Sequence, residues 1–144
     1  GTGSGILSIA AALSGAGSVL ALDIDPSSVA TARINMQLNA VEDAVAVKQG
    51  SLDEALQAAA ETDGFDLVFA NILAPVILKF LKSELAKVLK PGAILVTSGI
   101  ESHEVQIIKR AVLDTDLIEV SITETQGWAA VVTRKPSPPN HRRK

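Results

Sequence analysis

Gly1-Thr2-Gly3-Ser4-Gly5 sets three glycines at alternate positions directly ahead of an apolar run, Ile6 to Leu13. Glycine lets a backbone turn tightly and approach a ligand that a side chain would hold away. Asp23 comes 22 residues after Gly1, at the end of the apolar stretch Val19-Leu20-Ala21-Leu22. A carboxylate at such a strand end can accept two hydrogen bonds from a ribose diol. Asn71 ends a second apolar stretch, Leu67-Val68-Phe69-Ala70, and Pro75 follows it closely. Its carboxamide offers an acceptor and a donor, enough to hold a nucleophilic amine beside an electrophilic carbon. Each has a plainer reading: Asp23 as a turn residue before Asp25-Pro26, and Asn71 as the cap of the next helix.

The register of the loop separates two ligands. A dinucleotide fingerprint wants Gly-x-Gly-x-x-Gly. Here the sixth position is Ile6 and the third glycine falls at Gly5. That spacing suits a ligand needing close backbone approach without a diphosphate. S-adenosylmethionine is one: a nucleoside joined to an amino-acid tail through a sulfonium.

The elements that must position these residues alternate along the chain. The pattern predicts helices over Ser4 to about Ser14, Pro26 to about Leu38, Leu52 to about Ala60, Pro75 to about Leu89 and Ser102 to about Leu113. Asp25 reads as an N-cap with Pro26 at the first helical position, and Lys90-Pro91-Gly92 as a helix stop. Strands are predicted over residues 18–23, 44–48, 65–70, 93–97, 117–123 and 128–133. The runs Val19–Leu22, Leu67–Ala70 and Ile94–Val96 are continuously apolar, as in strands buried on both faces of a parallel sheet. The last two strands have no helix between them and predict an antiparallel hairpin at one edge. The fold expected is a doubly wound α/β sheet, mostly parallel and Rossmann-like, with ligands at the carboxyl ends of its strands. The glycine loop normally follows the first, central strand of such a sheet, and that strand is missing from this chain.

Composition narrows the class. The chain has 144 residues, 47% hydrophobic, 20% charged and only 3% aromatic, so aliphatic side chains must fill one domain's core. It has no cysteine, hence no disulfide or thiolate chemistry. No metal-ligand pattern is visible among its acids, and no apolar run is long enough to span a membrane. The absence of cysteine suits a cytoplasmic protein. Sixteen acids against eight bases leave residues 1–133 at −8, whereas residues 134–144 carry five bases and no acid. The acidic body is a poor surface for nucleic acid. The basic tail, residues 135–144, is the one place where nucleic acid could bind, and it reads as disordered. His103 and His141 read as isolated surface residues, and Trp128 as core or pocket wall.

Five stretches carry a family resemblance: Gly1-Thr2-Gly3-Ser4-Gly5-Ile6-Leu7, Leu22-Asp23-Ile24-Asp25-Pro26, Ala70-Asn71-Ile72-Leu73-Ala74, Leu89-Lys90-Pro91-Gly92 and Ser98-Gly99-Ile100. They are similar to class I S-adenosylmethionine-dependent methyltransferases. More narrowly, they resemble the catalytic domain of the ribosomal protein L-eleven methyltransferase (PrmA) family. Gly127-Trp128-Ala129-Ala130-Val131-Val132 matches that family's terminal strand. The resemblance covers residues 1–134, which it makes a catalytic domain truncated at its N-terminus.

The resemblance implies S-adenosylmethionine as cofactor and amino groups of a ribosomal protein, lysine or α-amino, as acceptors. It implies a cofactor site of Gly1, Thr2, Gly3, Gly5, Asp23, Ile24, Ser51, Leu52 and Asn71, with Asn71 also catalytic. Ser51 stands where many class I members carry an acid, so adenine contacts would fall to backbone or apolar groups. An acid on the first strand, an upstream threonine and a separate N-terminal domain belong to the family's pattern and lie outside this chain. Three alternatives stay open at this point: a methyltransferase of the same fold acting on RNA or a small molecule, a nicotinamide-dependent oxidoreductase, and an inactive fragment that folds poorly alone.

Overall fold

A computed structural model describes residues 1–138. The chain divides into two compact units, Gly1–Ala55 and Leu56–Lys144.

The first unit starts with the glycine loop and runs into α1 (Ile6–Leu13), β1 (Val19–Asp23), α2 (Pro26–Leu38) and β2 (Val45–Gln49). Gly5 precedes α1 in the left-handed conformation, with φ 84°. A Cβ at Gly5 would collide with Met36 Cε and stand 3.4 Å from Ala32 Cβ, so a side chain here would strain the backbone and press on α2. At α2, the Asp25 carboxylate accepts from the amides of Ser27 and Ser28, and Pro26 begins the helix. This is the cap the sequence predicts. β1 and β2 pair in parallel, Val19 with Val45 through Asp23 with Gln49. Ile9, Ala21, Val29, Ala32, Met36 and Val47 form the core of this unit without any aromatic residue, in keeping with the composition.

Helix α3 (Leu52–Thr62) leads into the second unit, which holds β3 (Phe65–Asn71), α4 (Ala74–Lys82), β4 (Leu89–Glu101), α5 (Val105–Leu113), β5 (Ile118–Thr125) and β6 (Trp128–Arg134). Its sheet has the order β3-β4-β6-β5. β3 and β4 are parallel; β4–β6 and β5–β6 are antiparallel. The expected C-terminal hairpin is therefore present, with β5 at the edge. Ile77 of α4, Ile108 of α5 and Ile100 of β4 are wholly buried and centre the core.

Three expectations change. The helix expected to reach Leu89 stops at Lys82; Glu84 turns left-handed at φ 72°, a 3₁₀ turn covers Leu85–Val88, and Leu89 already pairs with Phe65 in the sheet. Leu85, Val88 and Leu89 are all buried, so their apolar spacing is satisfied without a helix. Lys90-Pro91-Gly92 thus belongs to β4 rather than to a helix stop. Leu67 and Phe69, expected inside on both faces, are 47% and 44% exposed; β3 has a hydrogen-bonded neighbour, β4, on one side only among the described residues. Lys135, expected in the tail, is held in place. Its amide donates to Ala93 O, and its Nζ donates to Ala86 O and Leu89 O at 3.0 and 2.8 Å. Residues 139–144 of the tail, His141 among them, lie outside the described residues.

Candidate functional site

In the first unit, Asp23 binds the glycine loop. Gly3 N donates to its Oδ2 at 2.8 Å, and Asp25 N donates to its Oδ1 at 3.0 Å. The nitrogen of Gly1 and the amide of Thr2 both donate to the carbonyl of Leu22, at 2.7 and 2.8 Å. The loop is thereby tied to the last two residues of β1. Thr2 Oγ1 and Ser8 Oγ lie 3.2 Å apart, and Asn35 Nδ2 donates to Ser4 O at 2.8 Å, which secures the far side of the loop to α2.

Asp23 is 7% exposed. Burial pushes its carboxyl pKa up, but the amides of Asp25 and Gly3 hold it below the ordinary value. The group is a carboxylate at neutral pH. Each oxygen accepts one amide, which leaves each a further lone pair for a ligand hydroxyl.

Gly3 also turns left-handed, but unlike Gly5 it is not crowded. Its φ is 54°, and a Cβ there would meet nothing within 4 Å. The loop is bare on that side. The amides of the first turn of α1 have no partner within the helix and carry its positive dipole end. Together with the acid, this is a cradle for a polar ligand that must lie against the backbone.

The remaining first-unit candidates follow Asp23 outward. Gly50 N donates to Asp23 O at 2.9 Å, joining the end of β2 to the end of β1. Ser51 N donates to Glu54 Oε2 at 2.6 Å, and this bond first, then the amide of Glu54 itself, holds the Glu54 carboxyl below its ordinary pKa. Leu52 is buried at the start of α3, so its side chain packs inward. Ile24, by contrast, is 70% exposed immediately after the acid, and its carbonyl accepts from Gln49 Nε2. It is the apolar surface nearest in sequence to the acid.

In the second unit, Asn71 is the last residue of β3 and pairs with Ser98 of β4. Its carboxamide has no hydrogen-bond partner among the described residues. It lines a cavity of about 430 Å³ with Ser98, Gly99, Thr123, Thr125 and Trp128. Trp128 is 55% exposed and is pocket wall, not core. Every side chain around this cavity is uncharged. The sequence points to Asn71 and Trp128; Thr123 and Thr125 join them only through the pairing of β5 with β6, which no local pattern announces. His103 is exposed, with Nδ1 3.3 Å from Glu101 Oε2. Among the described residues, no helix is long and apolar enough to cross a membrane, and no group of three or more His, Cys, Asp or Glu gathers as for a metal.

Known proteins match this arrangement along nearly the whole chain. The family model "Ribosomal protein L11 methyltransferase (PrmA)" matches residues 1–136. A relative of that name from Geobacillus kaustophilus is 44% identical over 136 residues, and one from Bacillus subtilis is 42% identical over 135. Each match covers 94% of this chain and 42% of the relative, so the chain spans about two fifths of the length of these curated relatives. The crystal structure of a ribosomal protein L11 methylase from Lactobacillus delbrueckii subsp. bulgaricus superposes with a TM-score of 0.79 at 33% identity, covering 94% of this chain and 67% of that one. With its glycine loop, Asp23 and Asn71 at their strand ends and a match from Gly1 to Pro136, the chain belongs to the ribosomal protein L11 methyltransferase family.

Proposed function

We propose that the protein transfers methyl groups from S-adenosylmethionine to amino groups, lysine or α-amino, of a ribosomal protein in the cytoplasm. One observation carries this reading: Asp23 and the Gly1–Gly5 loop are built as a single hydrogen-bonded cradle, bare at Gly3. The residues fit the cofactor. Asp23 has a lone pair left on each oxygen for the ribose hydroxyls, the bare loop admits the amino-acid tail, and exposed Ile24 offers an apolar face for the adenine. When bound, S-adenosylmethionine supplies an electrophilic methyl group on a sulfonium.

The second unit supplies the acceptor side. An ammonium has no lone pair, so the acceptor must be a neutral amine. The cavity beside Asn71 holds no ionisable side chain to take a proton. The amine therefore enters already neutral, its proton given up to solvent. Asn71 Oδ1 accepts an N–H of that amine and orients its lone pair; it moves no proton.

The test is methyl transfer by the full-length protein carrying this chain, from labelled S-adenosylmethionine to purified ribosomal protein L11. Incorporation into amino groups supports the reading. Binding of a nicotinamide dinucleotide in place of S-adenosylmethionine, or incorporation into RNA alone, overturns it. Asn71→Ala should lower turnover by about a hundredfold while leaving cofactor affinity within about twofold.

A further inference from the structure

The β4 strand departs from regular pairing twice, opposite β3 between Leu89 and Ile94 and opposite β6 further on. Its pairing with β6 runs from Ile94 to Thr97, breaks, and resumes at Ile100. Ser98 and Gly99 form the break, and Gly99 is left-handed at φ 74°. A bulge of this kind bends a strand and re-aims what lies beside it. Both flanks are pinned. Thr97 is 3% exposed and donates to Val131 O, and Ile100 is wholly buried. On the other side, Ser98 O accepts from Ile72 N at 3.2 Å, so the bulge is fastened to the residue after Asn71.

The space at Gly99 is filled by Asn71. A Cβ on Gly99 would stand 2.8 Å from Asn71 Oδ1, 3.1 Å from Ile72 O and 3.4 Å from Ile72 N. The first distance is inside van der Waals contact. The short Asn71 side chain would have to rotate away, since the carbonyl of Ile72 is fixed by the backbone. We propose that Gly99 is a positioning residue for methyl transfer: the hydrogen it carries in place of a side chain leaves room for the Asn71 carboxamide to keep its orientation at the acceptor cavity. This rests on the role of Asn71 proposed above.

The experiment is a double-mutant cycle in the full-length protein with Asn71→Ala, Gly99→Ala and the pair, reading turnover, S-adenosylmethionine affinity by calorimetry and Tm. Gly99→Ala should lower kcat by about tenfold to a hundredfold and leave cofactor affinity within about twofold. In the Asn71→Ala background the same substitution should cost less than about twofold in kcat, because no carboxamide is left to displace. Its loss of Tm should also shrink in that background, a readout that needs no activity. Gly99→Asn separates backbone strain from crowding. Asparagine tolerates the left-handed region but carries a Cβ, so this variant should lose turnover as Gly99→Ala does.

Equal factors in both backgrounds overturn the inference and leave the Asn71 role standing. So does unfolding of Gly99→Ala in both backgrounds, which would assign the glycine to backbone conformation alone. Unchanged turnover in Asn71→Ala overturns the Asn71 role itself, and the inference with it.

Discussion

The amide of Gly3 donates a 2.8 Å hydrogen bond to Oδ2 of Asp23, so the acid proposed to hold the cofactor is also the clasp of the glycine loop. Asp23→Ala leaves the amides of Gly3 and Asp25 without their acceptors. The expected loss is about 1–3 kcal/mol of folding stability. Cofactor affinity should fall as well. Asp23→Asn keeps one carbonyl acceptor and should fall between. Chemical denaturation and calorimetry of the full-length variants check both effects.

The same carboxylate sets a pH dependence. Its folded pKa lies below the ordinary value, so the unfolded chain binds a proton first as pH falls. The stability that Asp23 contributes is present in full above the unfolded pKa of about 4 and is lost as pH falls through the folded value. Denaturation midpoints measured from about pH 6 down to about pH 3 should drop less steeply in Asp23→Asn than in the parent. Parallel slopes would remove Asp23 from that role.

Gly5 presses against α2. Gly5→Ala adds left-handed strain of about 1–2 kcal/mol and drives a methyl against Met36 Cε. Part of that cost should disappear in the Met36→Ala background, although Met36→Ala alone should cost about 2–5 kcal/mol as a cavity in the core. Thermal unfolding of the four variants gives the coupling.

Trp128 walls the cavity proposed to take the acceptor. Trp128→Ala should raise the KM for the ribosomal protein acceptor several-fold, as expected for about 1 kcal/mol of lost aromatic contact, and leave S-adenosylmethionine affinity unchanged. Steady-state kinetics with each substrate varied in turn separate the two.

Lys135 holds two carbonyls with one ammonium. Lys135→Met keeps much of the apolar stem and abandons Ala86 O and Leu89 O, at a cost of about 1–3 kcal/mol in the stability of the second unit. Hydrogen exchange at the start of β4 should rise most.

What the sequence makes legible follows from locality. Asp25-Pro26 announces a helix start because cap and first turn are neighbours in the chain, and the structure has that cap. Asp23 and Asn71 are legible because each closes an apolar run, and each does end a strand. The bond between Gly3 and Asp23 is not legible, since it depends on where a loop and a strand end meet in space. The bulge at Ser98-Gly99 depends on register with β6, a strand far along the chain, and its two letters read as ordinary strand until that partner is placed. The fate of Leu85, Val88 and Leu89 fails for another reason. Three buried aliphatics at that spacing satisfy a helix or a turn followed by a strand, and only pairing with Phe65 decides between them.

The double use of Asp23 bears on what its presence can tell. A copy of this fold that has given up catalysis still needs the acid to close its loop and satisfy two amides. Finding it therefore testifies to a sound scaffold. Asn71 is different: no group in the described fold depends on its carboxamide, so stability alone gives little reason to keep it. Of the two, the asparagine is the better witness to a working enzyme.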